Sequence, residues 1–213
     1  MNRLFNAVER DVFKDILRLR RDVRGNKFTQ QPVPDDVIEQ LIDAAMLAPS
    51  VGYSQPWQLV VIKSQAVKQK VYQSFCQKSK QEKELFPSDK QEQYQKFKLE
   101  GIIEAPINIA VFYQRPDAPI LGQTAMKETG KYSVVCAIQN MWLMARALNV
   151  GMGWVSILDP QVVKNAVNAP ENSELIGYLC IGYVDEFLEQ PELKTAGWQQ
   201  QKSRQQTVFN DSF

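Results

Sequence analysis

The sequence predicts a mixed helix-and-strand domain with more helix than sheet. Four short apolar runs, at 59–62, 107–112, 153–158 and 176–181, read as strands. The stretches between them carry apolar residues three and four positions apart, the helical period. The chain has 213 residues and is 44% hydrophobic, enough for one sizeable core. Residues 1–213 are therefore expected to form a single domain with arms.

Val12, Ile16 and Leu19 mark an amphipathic helix over 11–19. Arg20-Arg21-Asp22-Val23-Arg24 follows it directly. Pro34 is expected in the first turn of the next helix, with Asp35 and Asp36 beside its positive end. Val37, Leu41, Ala44, Ala45 and Ala48 form its apolar face, and Pro49 stops it. The loop Ala48-Pro49-Ser50-Val51-Gly52-Tyr53-Ser54-Gln55-Pro56-Trp57 comes next. Two prolines and a glycine free its backbone from any ladder, so it reads as a ligand loop or as an ordinary connector. The run 59–62 lacks polar alternation and is expected to be buried on both faces.

Val67, Val71 and Phe75 mark a further helix. Residues 78–98 are rich in Lys, Gln and Glu and read either as a solvated helical excursion or as a lid over a pocket. The 113–130 stretch, punctuated by proline and glycine, is a loop. Residues 132–148 are apolar nearly all round, which fits a dimer interface or a helix in the middle of the core. Asp159 caps a helix opening at Pro160. Residues 183–213 form an extended arm, and Trp198, Val208 and Phe209 suggest that it wraps a neighbouring surface, a partner subunit being one candidate.

Composition excludes several chemistries. With 25 basic and 24 acidic residues, nothing argues for bulk attraction to nucleic acid or to a membrane. The absence of histidine removes imidazole bases, His ligands and Ser-His or Cys-His nucleophile pairs. Cys76, Cys136 and Cys180 have no metal-ligand spacing and read as buried apolar residues in a reducing compartment. No metal site is expected. The N-terminal residues lack the apolar run of a signal peptide, so the expectation is a soluble cytoplasmic protein.

Arg20, Arg21 and Arg24 lie within five positions, and guanidinium clusters suit phosphorylated ligands. Asp22 among them is either a neutralising charge or a positioned base. Lys202 and Arg204 add two cations on the arm, or two solvated charges. Gly151-Met152-Gly153 permits a tight strand entry. Trp154 and Val155 are either core or a wall for a flat ring, and Ser156 offers a hydroxyl.

Together these stretches resemble the nitroreductase superfamily. Arg20-Arg21-Asp22-Val23-Arg24, Ala48-Pro49-Ser50 with Ser54-Gln55-Pro56-Trp57, and Lys202-Ser203-Arg204 match its flavin-contacting segments in order. Asp22, Tyr53 before Ser54-Gln55-Pro56-Trp57, the run 133–143 and Gly153-Trp154-Val155-Ser156 are similar to its flavin-destroying branch. The resemblance implies an α+β fold with a small, mostly antiparallel sheet flanked by helices, in an intertwined homodimer with an exchanged C-terminal arm. It implies that reduced FMN and dioxygen are substrates, fragmented to 5,6-dimethylbenzimidazole, the lower ligand of cobalamin, and erythrose 4-phosphate. A separate flavin reductase would supply the reduced FMN.

By the same resemblance Arg20, Arg24, Lys202 and Arg204 hold the phosphate and ribityl chain, and Arg21 and Val23 belong to the same contact segment. Pro49, Ser50 and Gln55 lie along one edge of the flavin ring, and Trp154 and Val155 along its other side. Asp22 is the expected proton acceptor, and Ser156 orients the flavin. Two other readings stay open: an NAD(P)H-dependent nitro or quinone reductase on the same fold, and a non-catalytic flavin-binding protein.

Overall fold

The structure is a computed structural model and describes residues 3–213. Its centre is a four-stranded antiparallel sheet of β1 (Trp57–Ile62), β2 (Ile107–Gln114), β3 (Gly151–Val155) and β4 (Ser173–Gly182), in the order β1-β2-β4-β3. The two inner strands are the longest apolar runs, as strands covered on both faces must be. Ile109 and Val111 face one layer, while Ala110 and Phe112 face the other. β1 is half exposed, because an edge strand has one neighbour and an open flank; Gln58 and Val61 face out, against the expectation of burial on both faces.

Helix α1 (Ala7–Leu19) opens on a capping box between Asn6 and Glu9. Pro34 caps α2 (Asp35–Met46) from just outside, one position earlier than expected. After β1 come α3 (Gln65–Lys83) and α4 (Ser88–Lys96), then α5 (Thr129–Ala147) and α6 (Pro160–Ala166). Ile38, Leu41 and Ala45 of α2 and Val134, Ile138 and Met141 of α5 fill the core on one face of the sheet. Val71 of α3 and Val163 of α6 fill the other with Tyr178 and Cys180. α5 is thus a core helix, but its outer side leaves Tyr132 and Val135 exposed. No residue of α1 is buried, and Val12, Phe13 and Leu17 are open to solvent.

Three expectations need correction. β3 begins at Gly151 rather than at 153 and ends at Val155, so Ser156 lies beyond the strand and is exposed. Of the cysteines only Cys180 is buried; Cys76 is exposed because the outer side of α3 meets no second layer. Trp198 docks on its own chain: its ring meets Phe86, Tyr94 and Phe97 at centroid distances of 5.1, 6.4 and 5.6 Å, with Lys90 Nζ 4.7 Å from its centre. This clasp joins α4 to the arm just past the short helix α7 (Glu192–Thr195).

Candidate functional site

The site is built where α1 ends and the chain runs extended along β3. Arg20 and Arg24 both have extended backbone, and Asp22 forms a parallel bridge to Met152. Successive side chains of an extended segment alternate in direction. Arg20, Asp22 and Arg24 accordingly share one side, while Val23 is buried on the other. Val23 N–H donates to Met152 O at 3.1 Å. Glycine is required opposite, since a Cβ on Gly153 would stand 2.1 Å from Val23 O.

Asp22 is pinned at both oxygens. Oδ1 accepts from the Trp154 backbone N–H at 3.0 Å, and Oδ2 pairs with the Arg24 guanidinium. Arg24 also donates to Leu99 O at 3.0 Å. Burial pushes the Asp22 carboxyl above its ordinary value, Arg24 and the Trp154 N–H hold the rise back, and Glu192 adds to it. Arg20 differs from Arg24. Its guanidinium lies 4.8 Å over the Trp142 ring, and among the described residues it makes no hydrogen bond or ion pair to another group. Arg21 is spent on carbonyls, donating to Arg18 O at 2.8 Å, to Arg20 O at 2.6 Å and to Glu189 O.

Arg20, Asp22 and Arg24 line a cleft of about 650 Å³, within the range of small-molecule sites. Leu17 and Leu19 form one wall; the arm forms the other through Leu188–Lys194 and Gln199–Gln201. The donor set, a basic end and apolar walls around a fixed carboxylate, fits the phosphate and ribityl portion of FMN. The flavin ring needs a further wall.

The remaining expected residues are elsewhere. Ser50 Oγ accepts from Gln55 N–H at 3.1 Å, and Val51 N–H donates to Ser133 Oγ at 3.1 Å, so the loop sits on the first turns of α5. Trp142, nine residues further along α5, donates through Nε1 to Arg21 O at 3.1 Å. At a rise of about 1.5 Å per residue the loop and the cleft are roughly 13 Å apart along the helix. Gln55 borders a separate hollow of about 250 Å³ with Trp57 and Gln123. Val155 points into the core, and Pro49, Lys202 and Arg204 are exposed and do not line the cleft. One chain thus gathers Arg20, Asp22 and Arg24 beside Trp154, but not the loop, Ser156 or the two arm cations.

Sequence reasoning missed Trp142 as the platform for Arg20 and the segment 188–194 as a wall. Trp142 had a signal, an aromatic on a helix with little polar face; the wall's signal was the similarity of Pro191-Glu192-Leu193 to the flavin-destroying branch, which gave no position in the fold.

A model of the Nitroreductase family matches residues 17–183. The chain belongs to the nitroreductase family. It is 40% identical over 201 residues to 5,6-dimethylbenzimidazole synthase of Rhodospirillum rubrum, covering 93% of this chain and 94% of that protein. The enzyme of the same name from Rhodobacter capsulatus is 38% identical over 199 residues, covering 92% and 95%. A solved structure of iodotyrosine deiodinase bound to FMN and 3-iodo-L-tyrosine superimposes with a TM-score of 0.74 at 20% identity, covering 94% of this chain and 100% of that one. That last likeness is one of fold. Among the described residues no helix is long and apolar enough to cross a membrane, and no acidic or cysteine cluster could hold a metal ion.

Proposed function

We propose that the protein fragments reduced FMN with dioxygen, yielding 5,6-dimethylbenzimidazole for the lower ligand of cobalamin and erythrose 4-phosphate. The relatives at 38–40% identity, matched over nearly their whole length, support the reaction. The observation that carries it is Asp22, a carboxylate fixed at both oxygens in the wall of the cleft. A hydride shuttle between a nicotinamide and a flavin has no evident use for it. Reduced FMN, when bound, supplies the electrons for oxygen chemistry.

The chain's own residues bind, orient and move protons. Arg20 takes the phosphate end, and Asp22 accepts a proton through a lone pair left free by its two present partners. The walls of 17–19 and 188–194 limit water around the reacting atoms. On this reading Pro49, Ser50 and Gln55, with Lys202 and Arg204, act on the site of a second copy, which supplies the missing wall for the ring. The exposed apolar face of α1 and the outer side of α5 give that copy a surface to cover. Ser156 orients the flavin there, and residues 78–98 serve as the lid.

Mixing the protein with chemically reduced FMN and air, then measuring product mass, tests the reading. Dimethylbenzimidazole is expected at the expense of FMN. FMN recovered intact, with nitroaromatics reduced on adding NADH, would mark a reductase; intact FMN with neither reaction would mark a flavin-binding protein.

A further inference from the structure

The resemblance that brings FMN to this cleft treats Arg20 and Arg24 alike, as two holders of its anionic tail. Their surroundings separate them. We propose that Arg24 is a positioning residue for Asp22 and takes no part in holding the phosphate, which falls to Arg20. The proposal rests on the reading of the cleft as an FMN site.

Both terminal nitrogens of Arg24 already hold a partner within its own chain. One terminal nitrogen donates to Leu99 O at 3.0 Å, and the other meets Asp22 Oδ2. The side chain retains 16% of its exposure, against 31% for Asp22, so of the pair the carboxylate is the more open to a ligand in the cleft. Releasing Arg24 to a phosphate would leave Leu99 O and the Asp22 carboxylate without their donor, both in a half-buried place where lost charge-assisted bonds are costly. Arg20 has the opposite arrangement. Its plane rests on Trp142, which orients it without consuming a hydrogen bond, and its N–H groups are open to the cleft.

Arg24 also fixes where the proton acceptor points. Asp22 is held from three directions: the Trp154 N–H on β3, Arg24 on its own segment, and the sheet bridge to Met152. The charged and titratable groups facing it are Arg20 and Arg24 beside it, Lys27 and Glu186 across the adjoining hollow, Glu192 on the arm, and Cys180 behind it in β4. Of these, Arg24 alone contacts it directly among the described residues. Removing Arg24 therefore frees the carboxylate to rotate and makes its charged form less favourable.

Three measurements test this. The first compares FMN with riboflavin, which has no phosphate. Arg20→Gln is expected to weaken FMN by about tenfold or more relative to riboflavin, while Arg24→Gln changes both affinities by the same factor. The second follows the Asp22 carboxyl carbon by NMR in the ligand-free protein. Its titration moves to higher pH in Arg24→Gln and returns towards the native value in Arg24→Lys; a merely structural arginine would not shift it. The third needs no variant, should Arg24→Gln fail to fold: in the unaltered protein, FMN and riboflavin are expected to perturb the Asp22 signal equally. A selective loss of FMN over riboflavin in Arg24→Gln, an unmoved Asp22 titration, or an Asp22 response to FMN alone overturns the proposal. These readouts need no turnover, so failure to form dimethylbenzimidazole would count against the proposed reaction and leave Arg24 to be judged separately.

Discussion

At the scale of single residues, Asp22 joins the fold to the proposed chemistry. Asp22→Asn keeps the shape and the Trp154 contact, so FMN binding should persist while dimethylbenzimidazole disappears below detection by mass; unchanged yield would remove Asp22 from the mechanism. The same residue gives a signed pH effect. Its folded pKa lies above the ordinary 3.8 because of burial. The folded state then holds the proton more tightly, and the stabilisation from this group is complete below 3.8 and lost as pH rises through the folded value. In urea melts, Asp22→Asn should therefore gain relative to the unaltered protein between acid and neutral pH. Gly153→Ala should cost roughly 1–3 kcal/mol by the same melts, because its Cβ would meet Val23 O. The cluster of Arg20, Asp22 and Arg24 just past a helix was legible in the sequence; its alternation along an extended segment comes from the folded chain. Its pairing with Met152 was not legible, because a single bridge 130 residues away leaves no periodic trace in either strand.

At the scale of elements, most of the fold was written in local pattern. Asp159 before Pro160 marked α6 correctly: the carboxylate accepts from Gln161 N–H at 2.9 Å, and that bond holds its pKa below 3.8. Asp159→Ala should cost about 1 kcal/mol at neutral pH. A lowered folded pKa gives stability that is present above 3.8 and lost as pH falls through the folded value. The difference between the two proteins in thermal melts should therefore vanish in acid. The strand 59–62 was placed correctly but its open flank was not foreseen, since strand order is a property of the sheet. Trp198 had a visible need for a partner, and only the folded chain identifies it as α4. Trp198→Ala removes aromatic contacts worth about 0.5–1.5 kcal/mol each beyond their buried area. It should free the arm without unfolding the core: trypsin cleavage at Lys194 and Lys202 should quicken while the melting temperature barely moves. A full drop in melting temperature would make the clasp part of the core instead.

At the scale of the whole molecule, the ligand loop and the cleft are roughly 13 Å apart along α5, and no loop residue lines the cleft within one chain. Val12, Phe13 and Leu17 on α1 and Val135 on α5 are exposed in the single chain. Their apolar surface needs a cover, and a stable interface buries on the order of 1,600 Å² in total. A second copy would cover that surface and could bring its own Ser50 and Gln55 to the ring of a flavin held by Arg20. Sedimentation should therefore report twice the chain mass of 24.4 kDa. Phe13→Asp combined with Val135→Asp puts charges on the covered faces and should yield monomers. Those monomers should lose affinity for FMN, although neither substituted residue lines the cleft. Monomers that bind FMN as tightly as the unaltered protein would show that one chain holds the whole flavin, and the 48–57 loop would then be only a connector.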